Sequence, residues 1–319
     1  MTATTELLSP DLLTKLDQLD VLSRKVLTGK MQGERRSKKK GQSVEFADYR
    51  AYVAGDDLRF IDWNLYARME KLFLRLFVEE EDLAVCILLD VSASMDYGEP
   101  NKLLFAKRLA AALGYIGLVN YNRVSLYAFN QTITAQLPNL RGRRPVHQML
   151  DFIAGLTAAP GVSGFGGRGT AGEGTGGTSG GAGSLEAVCK QFALVQRGKG
   201  VVIVLSDFFD KGDFAKALRY FGNERFDVYA VQVLCPQEID PEKGGVIGDL
   251  RLRDVEDGNM AEVSIGPALL RRYRANLQAY CQHLREQSVR HGVAFMIGDS
   301  SVPFEQLVLK YLRERGMLG

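Results

Sequence analysis

Two short apolar runs limit the folds open to this chain. Residues 83–89 and 201–205 contain no charged side chain and are rich in valine, isoleucine and leucine. Such runs are typical of strands buried on both faces of a parallel sheet. The sequence predicts further strands at residues 124–129, 226–234 and 292–297. Because predicted helices alternate with these strands, we expect an α/β fold with a doubly wound, mostly parallel sheet and right-handed crossovers.

The predicted helices and turns divide the chain into three parts. Residues 1–80 hold an N-terminal helix that starts at Ser9-Pro10, a basic loop and a segment dense in aromatic and charged residues, which we expect to pack on the main domain. Residues 81–299 form this main domain, with a glycine-rich loop at 161–183 and a β-hairpin insertion at about 236–266. Residues 300–319 hold a C-terminal helix. The remaining predicted helices are 102–119, 145–153, 185–196, 213–221, 267 to about 290, and 302–315.

Overall charge and cysteine usage exclude several classes of protein. The formal net charge is +2, so binding to nucleic acid or to a membrane surface would need a local patch such as the basic run at 35–40. The four cysteines form no C-x-x-C pair, which favours reduced thiols over a zinc site or a disulfide framework. No leader sequence and no run of about 18 apolar residues is visible. We therefore expect a cytoplasmic protein.

Oxygen-bearing side chains follow both apolar runs directly. Asp90-Val91-Ser92-Ala93-Ser94 comes after the first run, and Ser206-Asp207 comes after the second. The carboxyl ends of parallel strands meet at one sheet edge, where ligands bind in doubly wound folds. Two acidic strand ends at one edge repel each other unless a cation lies between them, and such hard oxygen ligands select Mg²⁺ or, as a second choice, Mn²⁺. The alternative is that Ser92, Ser94 and Asp96 only cap the next helix.

These residues resemble a known kind of site. The D-x-S-x-S sequence with a later Ser-Asp is similar to the metal-ion-dependent adhesion site (MIDAS) of von Willebrand factor A domains. The preceding segment resembles the signature of the family called domain of unknown function 58 (DUF58), whose members pair that signature with a von Willebrand A-like domain. The matching stretches are Val44-Glu45-Phe46, Arg50-Ala51-Tyr52, Gly55-Asp56-Asp57-Leu58-Arg59, Ile61-Asp62-Trp63, Ala67-Arg68 and residues 252–258.

The resemblance implies a binding module rather than an enzyme. In such sites one carboxylate and several hydroxyls hold a metal that accepts an acidic side chain of a partner. The resemblance also implies association with a MoxR-type AAA+ ATPase, as an adaptor or co-chaperone in protein-complex assembly or cofactor insertion. It further implies a threonine ligand before the helix at 185–196. Thr178 is our choice, and Thr175 and Ser184 remain open because the glycine-rich loop departs from the family pattern.

Other functions remain as alternatives. A hydrolase or phosphotransfer enzyme would use Asp90 and Asp207 with a metal, although no G-x-S-x-G elbow is present. A nucleic-acid-binding protein would use the basic run at 35–40. The signature residues have two interpretations, a partner-docking face or a capped turn with an internal ion-pair network, and we favour the second. They are Asp56, Asp57, Arg59, Asp62, Trp63 and Arg68.

Overall fold

The computed structural model describes most of the chain and divides it into two compact units. The described residues are 7–19, 21, 45–53, 56, 58–78, 83–158, 184–196, 199–210, 212–221, 226–242, 248–253 and 260–312. One unit comprises Met1–Gln32 together with Leu83–Gly319, and the other comprises Gly33–Asp82. The basic run at 35–40, Asp57, Thr175 and Thr178 lie outside the described residues. Helices and strands are numbered below in chain order across both units.

The strands are β1 (Glu45–Ala51), β2 (Phe73–Val78), β3 (Ala84–Asp90), β4 (Arg123–Phe129), β5 (Ile133–Arg141), β6 (Gly200–Ser206), β7 (Phe226–Leu234), β8 (Gly248–Arg253), β9 (Met260–Ile265) and β10 (Ala294–Asp299). The helices are α1 (Pro10–Leu16), α2 (Trp63–Met69), α3 (Lys102–Val119), α4 (Val146–Gly155), α5 (Ser184–Val195), α6 (Phe214–Arg219), α7 (Pro236–Ile239), α8 (Pro267–Arg290) and α9 (Phe304–Gln306).

The larger unit is built on a six-stranded sheet with the order β10-β7-β6-β3-β4-β5. The strands from β10 to β4 run parallel, and every residue of β3, β6 and β7 is buried. Alternate residues of β3 enter separate cores, with Ile87 packed among residues of α1, α3 and α4, and Leu88 among residues of α5, α6 and α8. The predicted α/β fold with a mostly parallel central sheet is therefore confirmed.

The edge strand β5 is missing from the sequence-based expectation. It pairs antiparallel with β4, so the sheet is mixed at this edge. Its first residues alternate between half-buried and exposed positions, starting with half-buried Ile133. This period of two is the normal signal of a half-exposed strand, but Pro138 and Asn139 interrupt it and favour a loop interpretation.

The first helix starts where the sequence predicts, and the described part of the last predicted helix has two parts. The helix α1 starts at Pro10 with Ser9 as its N-cap, as predicted, but it ends at Leu16. It belongs to the larger unit, where the Tyr115 hydroxyl of α3 donates to Asp17 at 2.8 Å. The predicted last helix begins as α9 and continues as a π-helix over Leu307–Leu312. The predicted hairpin is present as the antiparallel pair β8 and β9.

The smaller unit contains an antiparallel pair of strands, β1 and β2, with α2 between them in the chain. A single bridge from Ile61 to Leu74 ties the start of α2 to β2. The packing of this segment on the main domain remains a prediction. Of the helices in the described part of the chain, none has the length and apolar character needed to cross a membrane.

Candidate metal centre

The end of β3 presents a buried carboxylate. Asp90 is the last residue of the strand, with 7% of its surface exposed. One carboxylate oxygen accepts the backbone N–H of Ser92 at 2.8 Å, and the other accepts the hydroxyl of Ser206 from the neighbouring strand β6. The backbone N–H of Val91 donates to the carbonyl of Phe129 at 2.7 Å, so the loop is anchored to β4 as well. The carboxylate is thus fixed from two sides.

The two serine hydroxyls of the motif lie together beside this carboxylate. Ser92 Oγ and Ser94 Oγ are 3.1 Å apart, and both residues are only half-buried. Ser92 occupies the N-cap position of a short 3₁₀ turn, yet its side chain makes no capping hydrogen bond. The following helix, α3, is capped instead by Asn101, which accepts the N–H of Leu104 at 2.9 Å. The hydroxyls are therefore not consumed as helix caps and retain acceptor capacity.

The end of β6 brings the second aspartate to the same edge, as the sequence predicts. Asp207 follows the strand with 3% of its surface exposed and accepts the N–H of Phe209 at 3.1 Å. Phe208 between them adopts a left-handed conformation, φ 56°, which costs a non-glycine residue about 1–3 kcal/mol. Its ring packs edge-on against Phe214 with centroids 5.3 Å apart, and its carbonyl accepts the hydroxyl of Tyr280. Packing and hydrogen bonding thus hold this strained turn in place.

The electrostatics of the edge favour a positive charge near Asp90. Burial, together with the negative charge of Asp207, raises the pKa of Asp90 to about 7, against the hydrogen bonds from Ser206 and Ser92, which act to lower it. A carboxyl group whose pKa is raised in this way has its ionised form destabilised by its surroundings. A cation bound beside Asp90 would offset that destabilisation.

A lysine missed by the sequence-based reasoning occupies the other side of Asp207. Lys102 is the first residue of α3, and its Nζ lies 2.9 Å from Asp207 Oδ2 and 2.6 Å from Glu238 Oε1. Burial acts to lower the pKa of Lys102, but the two carboxylates outweigh it and the pKa ends above its ordinary value. The ammonium is therefore charged. In the sequence it is an ordinary lysine eight residues after Ser94, at the start of the helix that follows the motif, and nothing marks it as buried.

The start of α5 also lies beside this edge. The backbone N–H of Leu185 donates to Asp210 Oδ2 at 2.8 Å, and Asp210 belongs to the loop that carries Asp207. The helix begins at Ser184, where the described chain resumes after residue 158. The choice among Thr178, Thr175 and Ser184 as a third-loop ligand remains a prediction.

The donor set suits a small, hard cation. Asp90, Ser92 and Ser94 bring carboxylate and hydroxyl oxygens together, and the Asp90 carboxylate keeps acceptor capacity beyond the hydrogen bonds from Ser92 and Ser206. Both oxygens of Asp207 are engaged, one by Lys102 and one by a backbone N–H. No group of three or more His, Cys, Asp or Glu side chains suited to a metal occurs among the residues the structure describes. A cation here would rely on the hydroxyls.

The signature residues of the smaller unit have structural contacts. Asp62 is the N-cap of α2 and accepts the N–H groups of Asn64 and Leu65 at 3.0 and 3.1 Å, as well as the hydroxyl of Tyr49 at 3.0 Å. Asp56 pairs with Arg50 at 2.7 Å. The capped turn is therefore present. Ion pairing of Asp62 with Arg59 or Arg68 remains a prediction, and Trp63 is 61% exposed.

Replacing Asp62 with alanine is expected to loosen α2 without changing the metal site. The change removes the cap and leaves the hydroxyl of Tyr49 without this partner, at a cost of about 2 kcal/mol. Hydrogen exchange of the α2 amides should accelerate at least about tenfold. Mn²⁺ affinity, measured on the same preparation, should stay unchanged. A loss of Mn²⁺ binding would contradict a purely structural role for Asp62.

Comparison with known proteins agrees with the sequence signature. The model of the family described as "Protein of unknown function DUF58" matches residues 48–279. An uncharacterised protein of Mycobacterium tuberculosis (strain H37Rv) is 28% identical over 263 residues, which cover 82% of this chain and 76% of the relative. An uncharacterised protein of Mycobacterium bovis shows the same identity and coverage.

A solved structure is also similar in part. The conserved hypothetical protein BatB from Bacteroides thetaiotaomicron aligns with a TM-score of 0.42 and 14% sequence identity, covering 73% of this chain and 98% of that one. At this level the likeness carries no argument about the site.

Proposed function

Because the chain belongs to the DUF58 family, whose description assigns no function, we propose its role from the site itself: a metal-dependent, non-enzymatic protein-binding module. The observation that carries the proposal is the convergence of Asp90, Ser92 and Ser94 at the carboxyl edge of the sheet. The carboxylate of Asp90 is buried, whereas Ser92 and Ser94, which carry the two hydroxyls, are half-buried and therefore partly accessible to solvent. We propose that these three residues hold Mg²⁺, or Mn²⁺ in its place, with Asp207 as an outer carboxylate.

The charge of this donor set supports binding rather than catalysis. A divalent cation held by one carboxylate and neutral hydroxyls keeps a net positive charge and attracts an acidic side chain. The described site offers no histidine and no evident nucleophile–base pair of the kind that acyl transfer needs. The resemblance to von Willebrand factor A domains points to the same use, in which a glutamate or aspartate of a partner approaches the metal.

The proposed partner is a MoxR-type AAA+ ATPase, and it comes from the family resemblance. In this role the protein acts as an adaptor or co-chaperone in protein-complex assembly or cofactor insertion. The hydroxyls and the exposed ring of Tyr97, which is 45% exposed, form the surface that such a partner would meet. Such a surface would favour a partner carboxylate with apolar neighbours.

A pull-down tests the proposal directly. The full-length protein is immobilised and offered the MoxR-type ATPase from the same genome in Mg²⁺ and in excess EDTA. We expect capture in Mg²⁺ and its loss in EDTA, because the partner carboxylate needs the cation. Asp90→Ala should abolish capture in both buffers, since it removes the charged ligand.

The matched control is Asp151→Ala, which removes an exposed carboxylate from α4. This variant should capture the ATPase as the wild type does. Capture that survives both EDTA and Asp90→Ala would overturn the proposed mode of binding. Circular dichroism of each variant shows that the fold is retained.

A further inference from the structure

The described part of the chain buries one cationic side chain completely, and the proposed function does not use it. Lys102 has 0% of its surface exposed, and its ammonium is shared between Asp207 Oδ2 at 2.9 Å and Glu238 Oε1 at 2.6 Å. The ring of Phe209 covers it at 5.8 Å from Nζ to the ring centroid. Burying an ion pair costs desolvation free energy and does not by itself favour the fold. A buried lysine beside a cation site therefore suggests a role in that site.

Lys102 also fixes the orientation of Asp207. One carboxylate oxygen of Asp207 is bonded to the ammonium and the other to the N–H of Phe209, while its backbone carbonyl accepts Gln232 Nε2 at 3.1 Å. Asp207 cannot rotate toward Asp90 without giving up its ion pair with Lys102 or its hydrogen bond from Phe209. The ion pair with the lysine therefore opposes a rotation of this second carboxylate toward a cation at Asp90.

The other partner of the ammonium is held just as firmly. Glu238 Oε2 accepts the N–H of Cys235 at 3.1 Å. The adjacent Gln237 exchanges two hydrogen bonds with the backbone of Glu99, at 3.0 and 3.2 Å, which ties α7 to the loop before α3. Gly98 in that loop lies so close to Cys235 that an added Cβ would be 2.4 Å from the cysteine Cβ. The triple of Lys102, Asp207 and Glu238 is therefore a preformed unit.

Charge balance connects this unit to the cation. Asp207 and Glu238 pair with the ammonium, and Asp90 lies at the same sheet edge. With Asp90 ionised, these three carboxylates and one ammonium leave two negative charges for a single divalent cation. Without the lysine, three negative charges would remain, and two carboxylates would be free to bind the metal. Sites with more carboxylate ligands bind divalent cations more tightly and accept Ca²⁺ more readily.

We propose that Lys102 is a positioning residue that restrains the metal site: it holds Asp207 as an outer carboxylate, keeps cation affinity moderate and disfavours Ca²⁺. This inference rests on the proposed cation site of Asp90, Ser92 and Ser94. With a single carboxylate ligand, the bound cation keeps most of its positive charge. An acidic partner requires that charge in order to bind.

The test is a titration of the full-length protein with Mn²⁺ alone, followed by isothermal calorimetry or by electron paramagnetic resonance of free Mn²⁺. Lys102→Met keeps the length of the side chain and removes its charge. We expect Mn²⁺ to bind at least about tenfold more tightly than in the wild type and Ca²⁺ to compete more effectively. The matched control, Lys107→Met, removes a lysine from the same helix and should leave both values unchanged.

A double variant separates the effect of positioning Asp207 from the effect of charge. It also provides a second test if the single variant does not fold. Lys102→Met with Glu238→Gln restores the net charge of the triple but still frees Asp207. We expect its Mn²⁺ affinity to stay above that of the wild type. A return to the wild-type Kd would show an effect of charge alone and would overturn the positioning role, as would an unchanged or weaker affinity in Lys102→Met.

The two proposals fail in different ways. Absence of Mn²⁺ binding to the wild type at millimolar concentration overturns the proposed function. If Lys102→Met then bound Mn²⁺ where the wild type does not, the result would still support the inference that Lys102 limits cation affinity. Wild-type binding that Lys102→Met does not change overturns only the inference about Lys102.

Discussion

Replacing Asp90 with asparagine is expected to abolish Mn²⁺ binding and, in metal-free buffer, to make the protein more stable than the wild type. Asparagine still accepts the N–H of Ser92, and its Nδ2 can donate to Ser206 Oγ in place of the bond that the hydroxyl now donates to Asp90. The metal loses its charged ligand. Because losing only an outer partner of a metal ligand costs about 10–100-fold in affinity, we expect a loss of more than about 100-fold here.

The gain in stability follows from the raised pKa of Asp90. Burial and the charge of Asp207 move this pKa from 3.8 to about 7, so ionising the carboxylate at neutral pH destabilises the folded state. A difference of about three pH units corresponds to a few kcal/mol, about 2–4. In a chain of this length that raises the Tm by at least about 4 °C. A site that is strained without its ligand is typical of binding residues.

The pH dependence has a definite sign. In the unfolded chain the carboxyl ionises near 3.8, and in the fold it ionises near 7. Below about pH 4 both states carry the proton, so Asp90→Asn and the wild type should be equally stable. The advantage of the variant should grow as the pH rises through this window and be complete above about pH 7.

Thermal unfolding in EDTA, followed by circular dichroism at pH 4, 6 and 8, measures this difference, and Mn²⁺ titration at pH 8 measures the loss of binding. Asp151→Asn, on the exposed face of α4, serves as the control for a change of net charge. A variant that is less stable than the wild type at pH 8 would contradict the electrostatic account of Asp90.

The sequence was sufficient to predict the central strands and the first part of the site. Continuous apolar runs identify β3 and β6, because strands buried on both faces need apolar residues at every position. Asp90 and Asp207 then meet at one edge because parallel neighbours end on the same side. The strand β5 was missed because Pro138 and Asn139 interrupt its alternation, and tertiary pairing with β4 outweighs that local signal.

The remainder of the site depends on contacts that are distant in the sequence. Lys102 and Glu238 lie 136 residues apart and meet only because α3 and α7 begin at the same sheet edge. A lysine at the start of a helix normally points to solvent, so neither spacing nor composition marks it as buried. The sequence also leaves open whether Ser92 caps the helix α3. The hydrogen bonds show that Asn101 caps this helix and that the side chain of Ser92 makes no capping bond.

Gly200→Ala is expected to cause a large loss of stability, although it adds only a single methyl group. Gly200 is the first residue of β6 and lies opposite Ala84 of β3. A Cβ at this position would be 2.1 Å from the carbonyl oxygen of Ala84, and the 2.9 Å approach to Ala84 C and Cβ excludes a simple shift of one atom. The clash is with backbone, so β3 and β6 must separate. We expect a cost of about 3 kcal/mol or more.

This prediction tests the site as well as the fold, because Asp90 ends β3 and Asp207 directly follows the far end of β6. Chemical denaturation gives the free energy of unfolding, and Mn²⁺ titration of the folded fraction shows whether the separation reaches the metal centre. The control is Gly155→Ala at the end of α4, where an added Cβ has no neighbour within 4 Å. That change should be neutral or stabilising by up to about 1 kcal/mol, since alanine restricts the unfolded chain. Equal stabilities of the two variants would show that β3 and β6 approach each other less closely at Gly200. They would also count against the strand register that aligns the two aspartates.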